Sequence, residues 1–320
     1  TPLYSSAASD VYKRQDYTTA AAAFQEHRVQ GLLLGPEAPP ADQALLDERN
    51  DLQHLISRRN SYTLLFLNTQ APFLDDKLVR QAILYALDRR TILASTLDGR
   101  ADLADSPIVP GTWAYSDDIR RYAYDPQEAR NLLEKDGWKP NSRGVLEKDG
   151  QELNLSLLTD PDAARAAIGQ EIVRQLGEVG IHATQETKGG TALVREFLLP
   201  RRFQMALYGW DQGPDPDPYA AWHSSQVREE GFNLAGFTDQ RLDEVLSEAR
   251  QTSDQERRRA LYAEFQQIFA EEVPSILLFY PLYHYYVHDN VKGITLGVLF
   301  ESSSRFANIQ QWYIKTKRGG

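Results

Sequence analysis

Apolar residues recur along this chain in two rhythms. From Tyr62 to Leu67 they form an unbroken run of β-formers closed by polar and proline residues, which predicts a buried strand. Soon after, Val79, Ala82, Ile83, Ala86 and Leu87 fall at i, i+3, i+4, i+7 and i+8, the apolar face of a helix that Asp75 or Asp76 can cap. Upstream, "YTTAAAAFQEHRVQGLLLGPEAPP" predicts a helix, a short buried strand from Val29 to Leu34 and a Gly-Pro stop. A polar, proline-containing loop is expected from Asp98 to Asp118.

Two Asp-Pro pairs, Asp125-Pro126 and Asp160-Pro161, read as helix starts, because proline lacks only an N–H that a first helical turn cannot use. The first helix carries Ala129, Leu132 and Leu133 and stops at Gly137. The second carries Ile168, Ile172, Leu176 and Val179 and stops at Gly180. Between them, "GVLEKDGQELNLSLLT" reads as a hairpin with its turn at Asp149-Gly150, and "GIHATQE" supplies a strand after the second helix. Leu153 to Glu186 is thus a β-α-β unit, and a parallel or mixed sheet follows. Near the C-terminus, Asp239 to Gln251 presents Leu242, Val245, Leu246 and Ala249. A capping box at Ser253 and Glu256 opens a helix striped by Leu261, Phe265, Ile268 and Phe269, which Pro274 ends. Ser275 to Val287 is strand-like and aromatic. Helices and strands without clean alternation predict an α/β or α+β protein with mixed sheets, whose domains share strands.

At 320 residues and 42% hydrophobic content, the chain is long enough for two domains with real cores. The charge of −10, with no long basic run, argues against a nucleic-acid partner. Cysteine is absent, which excludes disulfides and thiolate metal sites. No apolar run approaches the roughly 18 residues that span a bilayer. The opening "TPLYSSAASDVYKRQ" shows neither periodicity, and its "DVYKRQ" resembles translated sequencing-adapter sequence, so residues 1–15 are expected to be a non-native or disordered leader.

No Gly-x-Ser-x-Gly elbow, phosphate loop or dinucleotide turn occurs. Of the six histidines, His284 and His288 have a suggestive spacing, but "YHYYVH" has strand composition. Four residues along a strand is about 13 Å at ~3.3 Å each, too far for one ion, so no metal or other cofactor is expected. The stretch "YGWDQGPDPDPYAAWHSSQ", Tyr208 to Gln226, concentrates acids, prolines and aromatic rings. Asp211 and Asp215 could serve a glycosidase as an acid pair, although turn formation and helix capping already explain acids placed before proline. The prolines suit a calcium loop badly. As a binding rim, the same stretch offers Trp210, Tyr219 and Trp222 as flat faces, with Asp211 open to a cationic group and Trp222 equally suited to the core.

From Tyr17 onward the chain resembles the C-terminal part of family 5 extracytoplasmic solute-binding proteins, the peptide, oligopeptide and nickel-chelate receptors of ABC importers. The resemblance rests on the order of "SYTLLFLNTQAPFLDDKLVRQAILYALDR", "YAYDPQEARNLLEKDGW", "GWDQGPDPDPYAAWHSSQ", "FNLAGFTDQRLDEVLSEAR" and "LYAEFQQIFAEEVPSILLFY". It implies a two-lobed fold joined by crossing strands, with 62–282 as the second lobe, 16–61 and 283–320 as pieces of the first, and that first lobe incomplete. It also implies a monomeric binding protein without enzymatic activity, in the periplasm or on the outer face of the membrane, with ABC permease subunits as partners and a peptide or other small solute as ligand.

By the same resemblance, Tyr208, Trp210, Asp211, Gly213 and Tyr219 line the cleft. Gly213 falls near a position where peptide-binding members often carry an aspartate for the ligand's ammonium, so either Asp211 takes that role or the ligand has no ammonium there. Where dipeptide-type members can present an arginine, this chain reads "DPDAAR", which favours an oligopeptide or another solute. Asn68 either meets ligand or ends its strand. Hinge candidates are Thr63, Leu65, Phe279 and Tyr283, on the crossing strands. A solute-sensing regulator and a carbohydrate hydrolase using Asp211 and Asp215 are the rival readings.

Overall fold

The computed structural model describes residues 17–35, 38–228 and 230–314. The leader expected over 1–15 lies outside the described residues. The chain forms two compact units, one of residues 1–57, 283–296 and 305–320 and a larger one of residues 58–282 and 297–304.

The smaller unit begins with α1 (Tyr17–Gln25), β1 (Gly31–Leu34), α2 (Pro40–Asp47) and β2 (Leu52–Arg58). The strand expected from Val29 starts two residues later, after His27 takes a positive φ of 55°. Phe24, Leu32, Leu34, Leu46 and Tyr286 form its core.

The larger unit continues with β3 (Ser61–Leu67), α3 (Lys77–Ala86), α4 (Arg89–Leu97), β4 (Ala101–Leu103) and α5 (Pro126–Lys135). All of β3 is buried, as its unbroken apolar run requires. Asp76 caps α3 by accepting from the Leu78 N–H, and Asp125 caps α5 by accepting from Gln127 and Glu128. Short strands β5 (Lys139–Pro140), β6 (Leu146–Lys148) and β7 (Gln151–Glu152) form a small sheet. Its tight turn at Asp149-Gly150 has φ of 54° and 77°. Then come β8 (Asn154–Thr159), α6 (Ala163–Glu178) and β9 (His182–Thr187), the parallel β-α-β unit the sequence predicts. The short α7 (Gly190–Ala192) runs into a π-helical turn through Leu198, followed by β10 (Met205–Asp211), α8 (Tyr219–Trp222), α9 (Gln240–Gln251), α10 (Gln255–Glu272) and β11 (Ser275–His288).

Three local expectations need correction. The loop over 98–118 contains β4, which pairs with β11 at Phe279 to Pro281. The helix expected at Asp160-Pro161 is capped by Asp162 instead, because the Asp160 carboxylate is taken by the Arg165 guanidinium at 2.8 and 2.7 Å. Asp254, not Ser253, caps α10, accepting from Glu256 and Arg257.

In the larger unit the strands run β11-β3-β10-β8-β9, with the first two pairings antiparallel and the last two parallel. The face bearing Leu65, Leu67, Leu157 and Leu207 packs on residues of α3 to α6. The opposite face, with Tyr62, Leu64, Phe66 and Ala206, packs on α9, α10 and the π-helical turn. Strand alternation sends each strand's side chains into these two cores. The last six residues of β11 belong to the smaller unit, pairing antiparallel with β1, before β12 (Val291–Lys292) and β13 (Tyr313–Ile314).

The chain passes between units after Ser57, Leu282, Leu296 and Ser304. Residues 58–61 stay with the larger unit because the Arg59 and Asn60 amides bond to Pro281 and Leu299 carbonyls there. Of the hinge candidates, Tyr283 stands at a crossing, whereas Thr63, Leu65 and Phe279 lie inside the larger sheet, each paired across it. Among the described residues, no helix is long and apolar enough to cross a membrane.

Candidate functional site

β10 delivers the candidate residues. Paired with β3 from Met205↔Leu67 to Asp211↔Ser61, it alternates its side chains between the two cores. Tyr208 and Trp210 point to the α9/α10 side, half-buried against that core, and Asp211 points to the other face. The aromatic pair and the carboxylate therefore separate at the end of the strand. Asp211 already has a cationic partner within the protein. Its carboxylate, 66% exposed, faces Arg59 at 3.3 Å.

The other two acids of the loop are likewise matched. Arg258 donates to both oxygens of Asp215 at 2.8 and 2.9 Å while its guanidinium lies 5.0 Å from the Trp113 ring centre and 5.4 Å from that of Tyr262. Arg250 donates to Asp217 at 2.6 Å and lies 3.9 Å over the Tyr219 ring. Asp217 also accepts from the Tyr219 N–H at 3.0 Å, closing the turn that opens α8. A glycosidase needs one carboxyl that stays protonated and one that attacks or activates water. Asp211 and Asp215 are instead each paired with an arginine.

Tyr219 stacks on His223 with ring centres 4.0 Å apart and its hydroxyl lies 3.2 Å from the Ser225 hydroxyl. Trp222 is a core residue, 1% exposed and edge-on to Phe269. Gly213 has open space where a Cβ would project, and its carbonyl accepts from the Asn60 amide at 2.7 Å. Asn68 ends its strand. Its buried side-chain amide donates to the Arg201 and Phe203 carbonyls at 3.0 and 2.8 Å, and its oxygen accepts from the Gln70 N–H. Of the two roles expected for Asn68, the strand-ending one is the one these bonds serve, both ends of the amide being engaged by backbone.

One neighbour of Trp210 escaped the sequence reading. Phe232 stands edge-on to the indole, ring centres 6.1 Å apart and planes at 66°, and is 50% exposed. A lone Phe between glycine and asparagine carries no periodicity that would have marked it. In "DPDAAR" the structure does supply an arginine, Arg165, half-buried and already paired with Asp160.

Two shallow hollows open elsewhere. One of about 580 Å³ lies by Ser224, Asp239 and Ser247, and one of about 330 Å³ by Asn154, Ser156, His182 and Gln204. Neither is lined by Tyr208 or Trp210, and the first is a helix start whose Asp239 is spent on its cap, so the aromatic rim is the better candidate. In the smaller unit, His284 is engaged by His54 at 2.8 Å, and no group of three or more metal-ligating side chains is found among the described residues.

Residues 11–230 match the bacterial extracellular solute-binding proteins, family 5 (middle part). The chain belongs to this family. Its relatives include the oligopeptide-binding protein AppA of Bacillus subtilis, 29% identical over 281 residues, covering 86% of this chain and 51% of the relative. The dipeptide-binding protein of Escherichia coli is 27% identical over 287 residues, covering 89% and 52%. Among solved structures, B. subtilis AppA in complex with a nonapeptide aligns with a TM-score of 0.73 at 28% identity, over 93% of this chain and 58% of that one. NikZ of Campylobacter jejuni in complex with Ni(L-His) gives 0.73 at 27%, over 93% and 60%. The fold is thus the mixed α/β fold of these binding proteins, and the family 5 chain described here spans about half the length of the curated relatives it matches.

Proposed function

We propose that this family 5 chain serves as the extracytoplasmic substrate-binding subunit of an ABC importer, capturing a peptide or related small solute and handing it to the permease subunits. The observation that carries the reading is the family match over residues 11–230, shared with relatives named for oligopeptide and dipeptide binding. The rim supports it. A strand paired along its whole length with β3 presents Tyr208 and Trp210, and a proline-rich loop tied down by three arginines follows at once, so little conformational entropy is lost on binding. No bond is made or broken in this role. Tyr208, Trp210 and Tyr219 are the proposed ligand-facing residues. Asp211 contributes only where a ligand ammonium displaces Arg59, and Tyr283 marks a proposed hinge.

The test is mass spectrometry of small molecules released by denaturing the protein, purified from the longest reading frame that contains the chain. A ladder of peptide masses supports a peptide receptor. A single non-peptide mass would transfer the reading to another solute, and the absence of any ligand together with no stabilisation by a peptide library would refute it.

A further inference from the structure

Four of the protein's six histidines lie in the smaller unit, and two of them meet where α1 ends. His288, the last residue of β11, is buried between Phe24 and His27, with ring centres 4.6 and 4.4 Å away and planes at 26° and 29°. His27 is exposed and sits at a φ of 55°, a conformation that glycine usually fills just past a helix. The backbone there disfavours a side chain, and the contact this side chain makes is the stack on His288. Two stacked imidazoles are compatible while at least one is neutral. Charging both sets two cations 4.4 Å apart.

Little around His288 offsets a second charge. Asp51 stands 3.7 Å from its Nδ1, but the Arg49 guanidinium bonds that carboxylate at 2.9 and 2.5 Å, so the acid arrives with a cation. On α1's end, Glu26 and Arg28 flank His27 and pair with each other at 2.6 Å. β1 brings no charged side chain, and the Gln30 carbonyl just before it accepts from the His288 N–H at 3.0 Å. Along β11, Tyr286 donates its hydroxyl to Asp47 at 2.7 Å, His284 bonds to His54 at 2.8 Å, and Asp289 follows the strand. Burial, and after it the neighbouring His27, holds the His288 imidazole below the ordinary histidine value. The docked state thus favours the neutral ring, and the stability this contributes is present above about pH 6.5 and fades as pH falls below it.

We propose that the stack of His27 on His288 is an acid-sensitive clasp, which fastens the C-terminal end of α1 to β11 while one ring is neutral and releases it when both take a proton. This device belongs to the smaller unit alone and goes beyond ligand capture. His288 is the switching group, because undocking α1 takes Phe24 and His27 off its faces and returns the ring to water. One unit below a pKa of about 6.5 the undocked ring is about 90% charged, so acid shifts the balance toward release by about tenfold.

Hydrogen exchange of the full chain, read by mass spectrometry and corrected for the intrinsic pH dependence of amide exchange, tests the clasp. Between about pH 7.5 and about pH 5.5, protection over residues 17–28 should fall about tenfold, while that of α3 stays within about twofold. Burial also holds His54 below the ordinary histidine value, so β2 responds to the same acid and variants at the clasp must carry the test. His288→Phe keeps a ring in the stack without a proton site and should hold the fall under about twofold. His27→Gly relieves the backbone and removes the second charge, and should leave a smaller fall than in the wild type. Where His288→Phe leaves residues 17–28 unprotected even at neutral pH, His27→Gly decides. A wild-type fall under about threefold, an undiminished fall in the deciding variant, or no wild-type protection of residues 17–28 at neutral pH overturns the clasp.

Discussion

Replacing Arg201 by Met tests whether the loop behind the candidate site is held from one point. All five N–H groups of this guanidinium are used. Nε donates to Asn233 O at 2.9 Å, Nη1 to Leu199 and Arg228 at 3.1 and 2.9 Å, and Nη2 to Gln226 and Gly231 at 3.0 and 3.2 Å. Each bond to a charged donor is worth roughly 1.5–3 kcal/mol. Burial works against the sum, since it destabilises the charged guanidinium and holds its pKa below the ordinary arginine value. Water can also reach some of the carbonyls once the side chain is gone. The net cost of Arg201→Met is therefore on the order of 3–4 kcal/mol, a fall in Tm of about 6–16 °C at roughly 2–4 °C per kcal/mol for a unit of this size.

The backbone supplies a control. Arg201 sits at a φ of 56°, where a side chain costs about 1 kcal/mol that glycine avoids. Arg201→Gly should accordingly be less destabilised than Arg201→Met by about that amount. Urea unfolding followed by tryptophan fluorescence measures both. A Met variant within about 1 kcal/mol of wild type, or a Gly variant less stable than the Met variant, would refute the reasoning.

Asn68→Ala removes the donor to two carbonyls and the acceptor of the Gln70 amide in a buried place, and should cost about 2–3 kcal/mol by urea unfolding; a loss under about 1 would mean that water replaces it. Asp215→Asn breaks an ion pair whose acid is 56% exposed and should cost under about 1 kcal/mol, less still in high salt. Arg258→Ala, which also takes its guanidinium from the Trp113 and Tyr262 rings, should cost about 2 kcal/mol, and equal costs for the two would show that the rings contribute nothing. A hydrogen bond from Lys77, helped by Arg120, holds the Glu271 carboxyl below its ordinary 4.5, so the unfolded chain binds its proton first as pH falls. That contribution is present above about pH 4.5 and fades below it, and Glu271→Gln should flatten the acid limb of a stability profile slightly, the group being half exposed. An unchanged acid limb would remove Glu271 from the account.

Much of the fold was legible because it follows from periodicity. The apolar run of β3, the i, i+3, i+4 stripes of α3 and α9, the Asp125-Pro126 start and the Asp149-Gly150 turn are local signals with local causes, and each appears where expected. One misreading arose where a side chain had two possible partners. Asp160 could cap a helix or pair with Arg165, and the sequence does not say which bond is made; nor does it show that Asp211 faces Arg59, 152 residues away. At the candidate site, Trp210 and Tyr219 were singled out by the composition of their stretch and Tyr208 by the resemblance. Phe232 was not, because what matters about it is a contact across a loop.

The same cause explains why the organising arginines left no trace in the sequence. Arg80, 3% exposed, donates to the carbonyls of Leu74, Asp75, Glu272 and Val273, and Arg89, 6% exposed, to those of Ala104, Tyr122 and Leu277. With Arg201 they place a five-donor fork where the chain has carbonyls and too few N–H groups to meet them, at helix ends and in loops. Such a residue answers to the surrounding backbone in three dimensions and to no period along the chain. The consequence reaches the site through Asn68, whose amide holds the Arg201 carbonyl while the Arg201 side chain holds the backbone on either side of Phe232. Segments without regular secondary structure are thereby fixed in place before any ligand arrives.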